Sequence, residues 1–390
     1  MIQISDKRNC CGCTACASIC PHKAITMTPD VMGFLYPVVD TSLCVECGLC
    51  EKVCQFHEGY DRYANYDIPI VFGCRHKDEA ELVRSQSGAA AWAIMQTFLQ
   101  EPGVVYGVGY ESVTHIVHKR ATTLEECQEF RGSKYVQSNL RGVFQQVKDD
   151  LKAGHRVLFF GTGCQVSGLK SFLPLPLHDN LFVVDIVCHA TPSPAFWKAY
   201  VQYMEKKYNS TITKVDFRDQ TFGWHSHEES FFFSNDKKVS SHIFRSLFYD
   251  HLIVRNSCLN CHFTNFKRVS DITLSDFWGW ENHYKEWNDN KGVSLFLVNS
   301  DKGKQMFDKC QPFLSFIESD IDKCVQPQLQ HPAEQPVDYL IVPQLFQEKG
   351  FKGVARKYGH IPGKKYYHNK INAYIHQIHL ILSRIKHSFS

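Results

Sequence analysis

Seventeen of the 390 residues are cysteine, and eight of them fall in two matching runs. Cys10, Cys13, Cys16 and Cys20 are spaced C-x2-C-x2-C-x3-C and followed by Pro21; Cys44, Cys47, Cys50 and Cys54 repeat that spacing with Gln55 at the proline position. Three thiolates in one tight turn hold three irons of a cubane, while the fourth cysteine is carried away by the chain and ligates the other cluster. The spacing therefore predicts two [4Fe–4S] centres, one on Cys10, Cys13, Cys16 and Cys54, the other on Cys44, Cys47, Cys50 and Cys20. Zinc is the competing reading of C-x2-C knuckles, but zinc sites draw paired ligands from two separated knuckles and need no third cysteine in the same turn. Cys11 is out of register and reads as a spare thiol.

Four more cysteines fall at predicted turns: Cys164 after a strand, Cys188 at the end of the next, and Cys258 and Cys261 as a C-x2-C pair. A helix opening at Cys164 would favour a thiolate through its free N–H groups and positive dipole end. Neighbouring strand ends would bring Cys164 and Cys188 to one rim of a sheet, where a loop carrying Cys258 and Cys261 completes a four-thiol site. Spacing alone leaves zinc, a third iron–sulfur centre and ordinary buried thiols open for this set. Cys74, Cys127, Cys310 and Cys324 have no partner by spacing and read as core or surface thiols.

These residues need elements to position them. Between the two runs, 24–27 and 34–39 read as short strands around Asp30 and Gly33, a hairpin. Residues 55–67 are polar and aromatic without period and read as a linker. Strands over 70–73, 104–108, 115–118, 156–160 and 181–187 then alternate with helices over 87–99, 124–130, 140–151, 165–172 and 194–208, which implies a mostly parallel or mixed sheet covered by helices. Residues 214–299 are richer in strands, loops and aromatics and close on a strand over 293–298, followed by a helix over 302–310. The predicted fold class is α/β, with α+β character: a small module over 1–58, a larger mixed-sheet domain over 59–335 and a basic, mainly helical tail over 336–390.

Composition sets the remaining bounds. A net charge of +3 is too small to imply nucleic acid, and no motif for it is present. No apolar run approaches the ~20 residues that span a bilayer. Metal spacings rather than disulfide spacings, without a signal peptide, place the chain in a reducing cytoplasm. The last fifty residues carry one acid, Glu348, against many lysines and arginines, and Ile371, Tyr374, Ile375, Ile378, Ile381, Leu382 and Ile385 recur at helical spacing. A helix with a basic face in water is the preferred reading there; peripheral membrane contact or partner docking is the sharper one.

The N-terminal spacing is that of bacterial ferredoxins. The strings RSQSGAAAW (84–92), FRGSKYVQS (130–138), VLFFGTGCQVSGLKSFL (157–173), VDIVCHATPSP (184–194), FRDQTFGW (217–224), SCLNCHF (257–263) and SDITLSDFWGW (270–280) resemble the coenzyme F420 hydrogenase/dehydrogenase beta-subunit family. That resemblance covers most of 70–298 in order. It implies an FAD with a [4Fe–4S] cluster beside it on Cys164, Cys188, Cys258 and Cys261. The family includes deazaflavin-oxidising subunits and ferredoxin-dependent reductases, and relatives with a fused ferredoxin module occur in surface-polysaccharide gene clusters. Two departures stand out: relatives usually carry proline at the position of Gly163, and their double glycine is Gly88-Ala89 here.

No Rossmann fingerprint is present, since Val166 replaces the last small residue after Gly161-x-Gly163. The candidate cofactor-binding residues are Ser85, Ser87 and Gly88 at a helix start, Arg131, Gly132, Ser133 and Lys134 in a turn, and Gly161 and Thr162. Lys134, His189 and Asp276 are the catalytic candidates, with Arg218, Asp219 and His225 as further polar residues of a substrate or deazaflavin pocket. Clusters pass one electron and organic hydride partners need two, so the expected function is oxidoreduction between a ferredoxin or other redox partner protein and a small molecule, through FAD. Coenzyme F420 and an unidentified surface-polysaccharide substrate are the candidate small molecules. A subunit that only relays electrons to a partner enzyme is the alternative.

Overall fold

The computed structural model describes residues 1–57 and 65–358. The two cysteine runs fold about an antiparallel hairpin, β1 (Ile25–Pro29) and β2 (Leu35–Val39), with Ile25 opposite Val39. The Asp30 carboxylate closes its turn by accepting from the amides of Met32 and Phe34, both at 3.0 Å. Two short helices, α1 (Ala15–Ile19) and α2 (Leu49–Lys52), carry Cys16 and Cys50. Each follows a residue in the left-handed region, Thr14 at φ 69° and Gly48 at φ 73°, so the two halves repeat in backbone as they do in sequence.

Beyond the linker the chain runs through β3 (Ile70–His76), α3 (Glu79–Arg84), α4 (Ala90–Phe98), β4 (Val104–Ser112), β5 (His115–Ala121), α5 (Leu124–Cys127), α6 (Val143–Lys152), β6 (Val157–Thr162), α7 (Gly163–Phe172), β7 (Leu181–Ile186) and α8 (Pro194–Tyr208). β8 (Ile212–Asp216), β9 (Glu229–Phe233) and β10 (Lys238–Ser241) form a separate antiparallel sheet, followed by α9 (Ile243–Tyr249). β11 (Ile272–Asp276), β12 (Ser294–Val298), α10 (Asp301–Cys310) and β13 (Leu314–Ser319) return to the main sheet, and α11 (Ile341–Lys357) packs on α8. The main sheet has the order β13-β3-β12-β11-β7-β6-β4-β5. Its centre, β4, β6, β7 and β11, is parallel, and the flanks are antiparallel.

The fold class expected from the sequence is the one observed: a mixed α/β domain beside a small N-terminal module. Strands such as Val157–Phe159 and Leu295–Val298 are wholly buried because helices cover both faces of the sheet. Leu158 packs with Ile94, Phe98 and Phe307 of α4 and α10, whereas Val157 and Phe159 pack with Phe144, Val147, Leu169 and Phe172 of α6 and α7. Cys74, Cys127, Cys310 and Cys324 are core thiols.

Several local expectations are corrected. The helix expected over 87–99 begins at Ala90, because Ser87 and Ala89 both adopt positive φ, 53° and 62°. A glycine takes that conformation freely, which accounts for the double glycine of relatives at the position of Ala89. Gly88 between them has no room for a side chain: a Cβ would lie 1.9 Å from the Cys74 carbonyl oxygen. The helix expected over 124–130 ends at Cys127 and tightens into a 3-10 turn. The separate sheet, α3, α9, β13 and α11 were not anticipated. The helix read over 369–385 and the centre of the linker lie outside the described residues.

One buried ion pair locks the sheet to the loop that carries Cys261. Asp185 on β7 is wholly buried and accepts from Arg268 at 2.6 Å, Ser270 at 2.7 Å and Thr273, while Arg268 also donates to the Phe263 and Ile186 carbonyls. Removing one partner of such a pair leaves an uncompensated charge at a cost of about 3–5 kcal/mol. Asp185→Ala should therefore lower the unfolding free energy by about that amount in denaturant melts. A loss under about 1 kcal/mol, the worth of a surface pair, would show that the network is not the anchor.

Candidate functional site

The twelve candidate cluster ligands fall into three groups. Cys20, Cys44, Cys47 and Cys50 line one small cavity at the outer end of the N-terminal module, where Cys47 is exposed. Cys54 stands instead with Cys10, Cys13 and Cys16: burial pushes its thiol up to about 11, and the charges of Cys13 and Cys10 add to the rise. Cys16 is likewise raised by burial first and then by Cys13, Cys10 and Cys54. The last cysteine of each run thus joins the other run.

The third group sits at the carboxyl ends of the central parallel strands. Thr162 of β6 lies opposite Ile186 of β7, so Cys164 and Cys188, each two residues further on, meet at one rim. Cys258 and Cys261 approach from the loop before β11, and all four line one cavity. Backbone amides already point at these sulfurs, Thr191 N–H to Cys258 at 3.3 Å and Phe263 N–H to Cys261 at 3.4 Å. Such bonds tune cluster potentials. Among the described residues no three His, Cys, Asp or Glu side chains close to the spacing of a single-ion site; a cubane takes its ligands at the corners of a cube instead. Gly163 occupies the first helical position of α7, where proline is tolerated, so a relative's proline and this glycine suit the same turn.

Arg255, which sequence reasoning missed, stands between the inner N-terminal group and the core group. It is 1% exposed. Its guanidinium donates to the Cys10 and Leu35 carbonyls, both at 2.8 Å, and lies over the Tyr36 ring, while its own carbonyl accepts from Cys258 N–H. A lone arginine in a loop carries no spacing signal; its position three residues before Cys258 was the only available cue. Cys11, read as a spare thiol, is buried and lines the core cysteine cavity.

Beside this cavity is a larger one of about 350 Å³, bounded by the start of α4, the loop 130–138 and the carboxyl ends of β6, β7 and β11. In parallel α/β sheets ligands bind at these ends. Ser85, Ser87, Arg131, Gly132, Ser133, Lys134, Gly161 and Thr162 line it, and Gly88 lies behind. Most of the side chains expected to hold phosphate hold each other. Arg131 donates to Glu81, Gln128 and Ser85 and stacks on Trp92, Ser87 donates to the Val293 carbonyl, and the Gly88 amide to Ser294. Lys134 donates to the carbonyls of Glu129 and Arg131 at 2.7 and 2.9 Å, and burial lowers its pKa to about 7. Two buried donors on the cavity wall, Trp92 Nε1 and Arg218 Nε, have no protein partner. A large polar ring system with acceptor atoms fits such a wall.

A second cavity of about 200 Å³ joins the first to the cysteine group and is lined by Lys134, Cys188, His189, His227, Tyr249, Asp276 and Trp278 among others. His189 is held between Gln328 at 2.7 Å and His251 at 3.1 Å, and burial lowers its pKa to about 4. Both oxygens of Asp276 are engaged, by Arg218 and by Trp224 Nε1. Asp219 is turned to Ser230, Thr221 and Lys238, and His225 stacks beside Trp224; neither lines these cavities.

With this geometry in place, comparison identifies its parts. Residues 9–57 match the 4Fe-4S dicluster domain, so the protein is an iron–sulfur electron-transfer protein. Residues 154–322 match the family described as the C terminus of the Coenzyme F420 hydrogenase/dehydrogenase beta subunit, so the core is a domain of that oxidoreductase family. Among solved structures, a chain of the xenon-derivatised F420-reducing [NiFe] hydrogenase complex from Methanosarcina barkeri is similar at 16% identity, with 75% of this chain and 92% of that chain covered and a TM-score of 0.46. No curated protein matches the chain. Among the described residues no helix is long and apolar enough to cross a membrane.

Two measurements check this arrangement. If the fourth cysteines cross over, Cys20→Ala should perturb the outer centre and Cys54→Ala the inner one, read as loss of one of two distinct EPR signals; the opposite assignment would contradict it. The second concerns His118, fully enclosed behind the first cavity. Gln165 donates to Ser138 at 3.0 Å, Ser138 to His118 Nδ1 at 2.9 Å, and His118 Nε2 to the Phe160 carbonyl at 2.9 Å, a chain that needs the neutral imidazole. Burial lowers its pKa to about 4. Because the folded value lies below the unfolded one, stability is lost as pH falls from about 6.5 to about 4, by on the order of 3 kcal/mol. His118→Phe should remove that part of the acid dependence in thermal melts at pH 4 to 7; an unchanged profile would count against it.

Proposed function

We propose that the protein is an iron–sulfur flavoprotein oxidoreductase that passes electrons between a one-electron carrier protein and a small organic partner. In this reading residues 1–58 hold two [4Fe–4S] clusters, 59–335 hold a third on Cys164, Cys188, Cys258 and Cys261 together with FAD in the larger cavity, and 336–390 form a tail. The observation that supports it is continuity: Thr162 and Thr191 line the cysteine cavity, the large cavity and the one joining them. A bound flavin supplies the conversion between one-electron and two-electron exchange.

The chain's own residues then have definite tasks. Trp92 Nε1 and Arg218 Nε offer donors to acceptor atoms that enter the large cavity. Arg131, bound to Glu81 and stacked on Trp92, fixes that wall, as do Ser85, Ser87 and Gly88 behind it. Lys134, with a pKa near 7, holds or releases a proton at Nζ at the mouth shared by the two cavities. His189, neutral and positioned by Gln328, faces the joining cavity, and Asp276 holds Arg218 in place. The small molecule occupies the joining cavity; coenzyme F420 or a surface-polysaccharide intermediate is the candidate, and a ferredoxin at the exposed Cys47 end is the electron partner.

Anaerobic purification tests this directly. About twelve irons per chain, four for each of three cubanes, are expected, with FAD released on heating. Rapid mixing with reduced coenzyme F420 and with reduced ferredoxin should bleach the flavin with at least one of them. A colourless protein containing zinc and no flavin would overturn the proposal.

A further inference from the structure

The two cysteine runs differ at one position that neither cluster spacing nor the proposed function uses: proline follows Cys20, and glutamine follows Cys54. In sequence this looked like a loosened turn. Gln55 is instead 1% exposed, and its side-chain amide donates to Cys11 Sγ at 2.9 Å and to the Cys164 carbonyl at 2.8 Å. The residue covalently next to an inner-group cysteine is therefore hydrogen-bonded to the backbone of a core-group cysteine. Cys11 makes the parallel connection: adjacent in chain to Cys10, its sulfur meets those of Cys13 and Cys164. Its carbonyl accepts from Gln137 at 2.9 Å, which in turn accepts from Arg255 at 3.0 Å. The approach is tight because α7 carries glycine at 168, where a Cβ would lie 2.6 Å from the Cys13 Cβ.

We infer that Gln55 is a positioning residue that couples the inner N-terminal centre to the core centre, with Cys11 as the non-ligating sulfur it holds in the gap. This rests on the proposed assignment of clusters to both cysteine groups. The step it serves is a one-electron exchange: one cluster is oxidised as the other is reduced, and no bond forms or breaks. Gln55 acts in two ways. It fixes the separation of the centres, and its N–H dipole, directed at the inner and core ligands, stabilises the electron on one side relative to the other, as hydrogen bonds near cluster sulfurs do. Proline at this position has no donor to do either.

The test uses the anaerobic full-length protein and the variants Gln55→Leu, Gln55→Pro and Cys11→Ala, each assayed for iron, for midpoint potentials by EPR-monitored titration and for electron equilibration after photoreduction. About twelve irons in the parent protein establish the cluster assignment independently of the coupling. With iron retained, the Gln55 variants should change the distribution of one electron between inner and core centres about tenfold, the worth of one hydrogen bond to a charged group, and Cys11→Ala should slow equilibration between them. A purely structural role would lower stability without moving the potentials. Parent-like potentials and rates in all three variants would overturn the inference. Loss of about four irons in Cys11→Ala would also overturn it, by making Cys11 a ligand.

Discussion

Cys13 packs on α7 so closely that residue 168 has to be glycine, and the rest of the molecule is arranged around that approach. Electron transfer between clusters demands short separation, and short separation demands that two independently folded units share a dry interface. The N-terminal module meets this by presenting its inner half, with Cys10, Cys11 and Cys13 buried or nearly so, to the helix that begins at Cys164. Its other half keeps Cys47 exposed. One end of the module thus faces inward and the other outward, an asymmetry imposed on a nearly symmetric repeat.

Electrostatics follows from the same burial. An interface enclosing anionic centres needs compensating charge without water, and Arg255 supplies it while satisfying its donors on the Cys10 and Leu35 carbonyls and on Gln137. On the far side, Arg268 is neutralised by Asp185 and Arg218 by Asp276, so the walls of the cavities carry fixed, paired charges rather than mobile ones. The enclosed histidines, His118, His189 and His227, are all driven toward neutrality by burial. The site is preorganised: most polar groups around the large cavity already bind one another, and the donors without protein partners point to what a ligand would satisfy.

What the sequence disclosed depended on the range of the signal. Cysteine spacing is local, so the grouping of the N-terminal thiols was readable, including the exchange of Cys20 and Cys54. The α8 helix was readable to the residue, since Ser193 and Pro194 mark its start and Asn209 in the left-handed region its end. The start of α4 was not, because Ser87 and Ala89 are held at positive φ by packing of Gly88 against β3 and β12, a tertiary constraint. Arg131 and Lys134 were correctly placed at the cavity, yet their partners, Glu81 and the loop carbonyls, were invisible to pattern. Cys11 and Gln55 looked like irregularities in a motif and make sense only beside α7.

The central claim is that electrons cross from the N-terminal clusters to the large cavity through the core cysteine group. It is tested most directly by Cys164→Ser, prepared without oxygen and mixed rapidly with a one-electron reductant while the cluster EPR signals and the flavin absorbance are followed together. The account predicts that the N-terminal signals form as in the parent protein while reduction of the flavin through them is lost. Flavin reduction at the parent rate would contradict it.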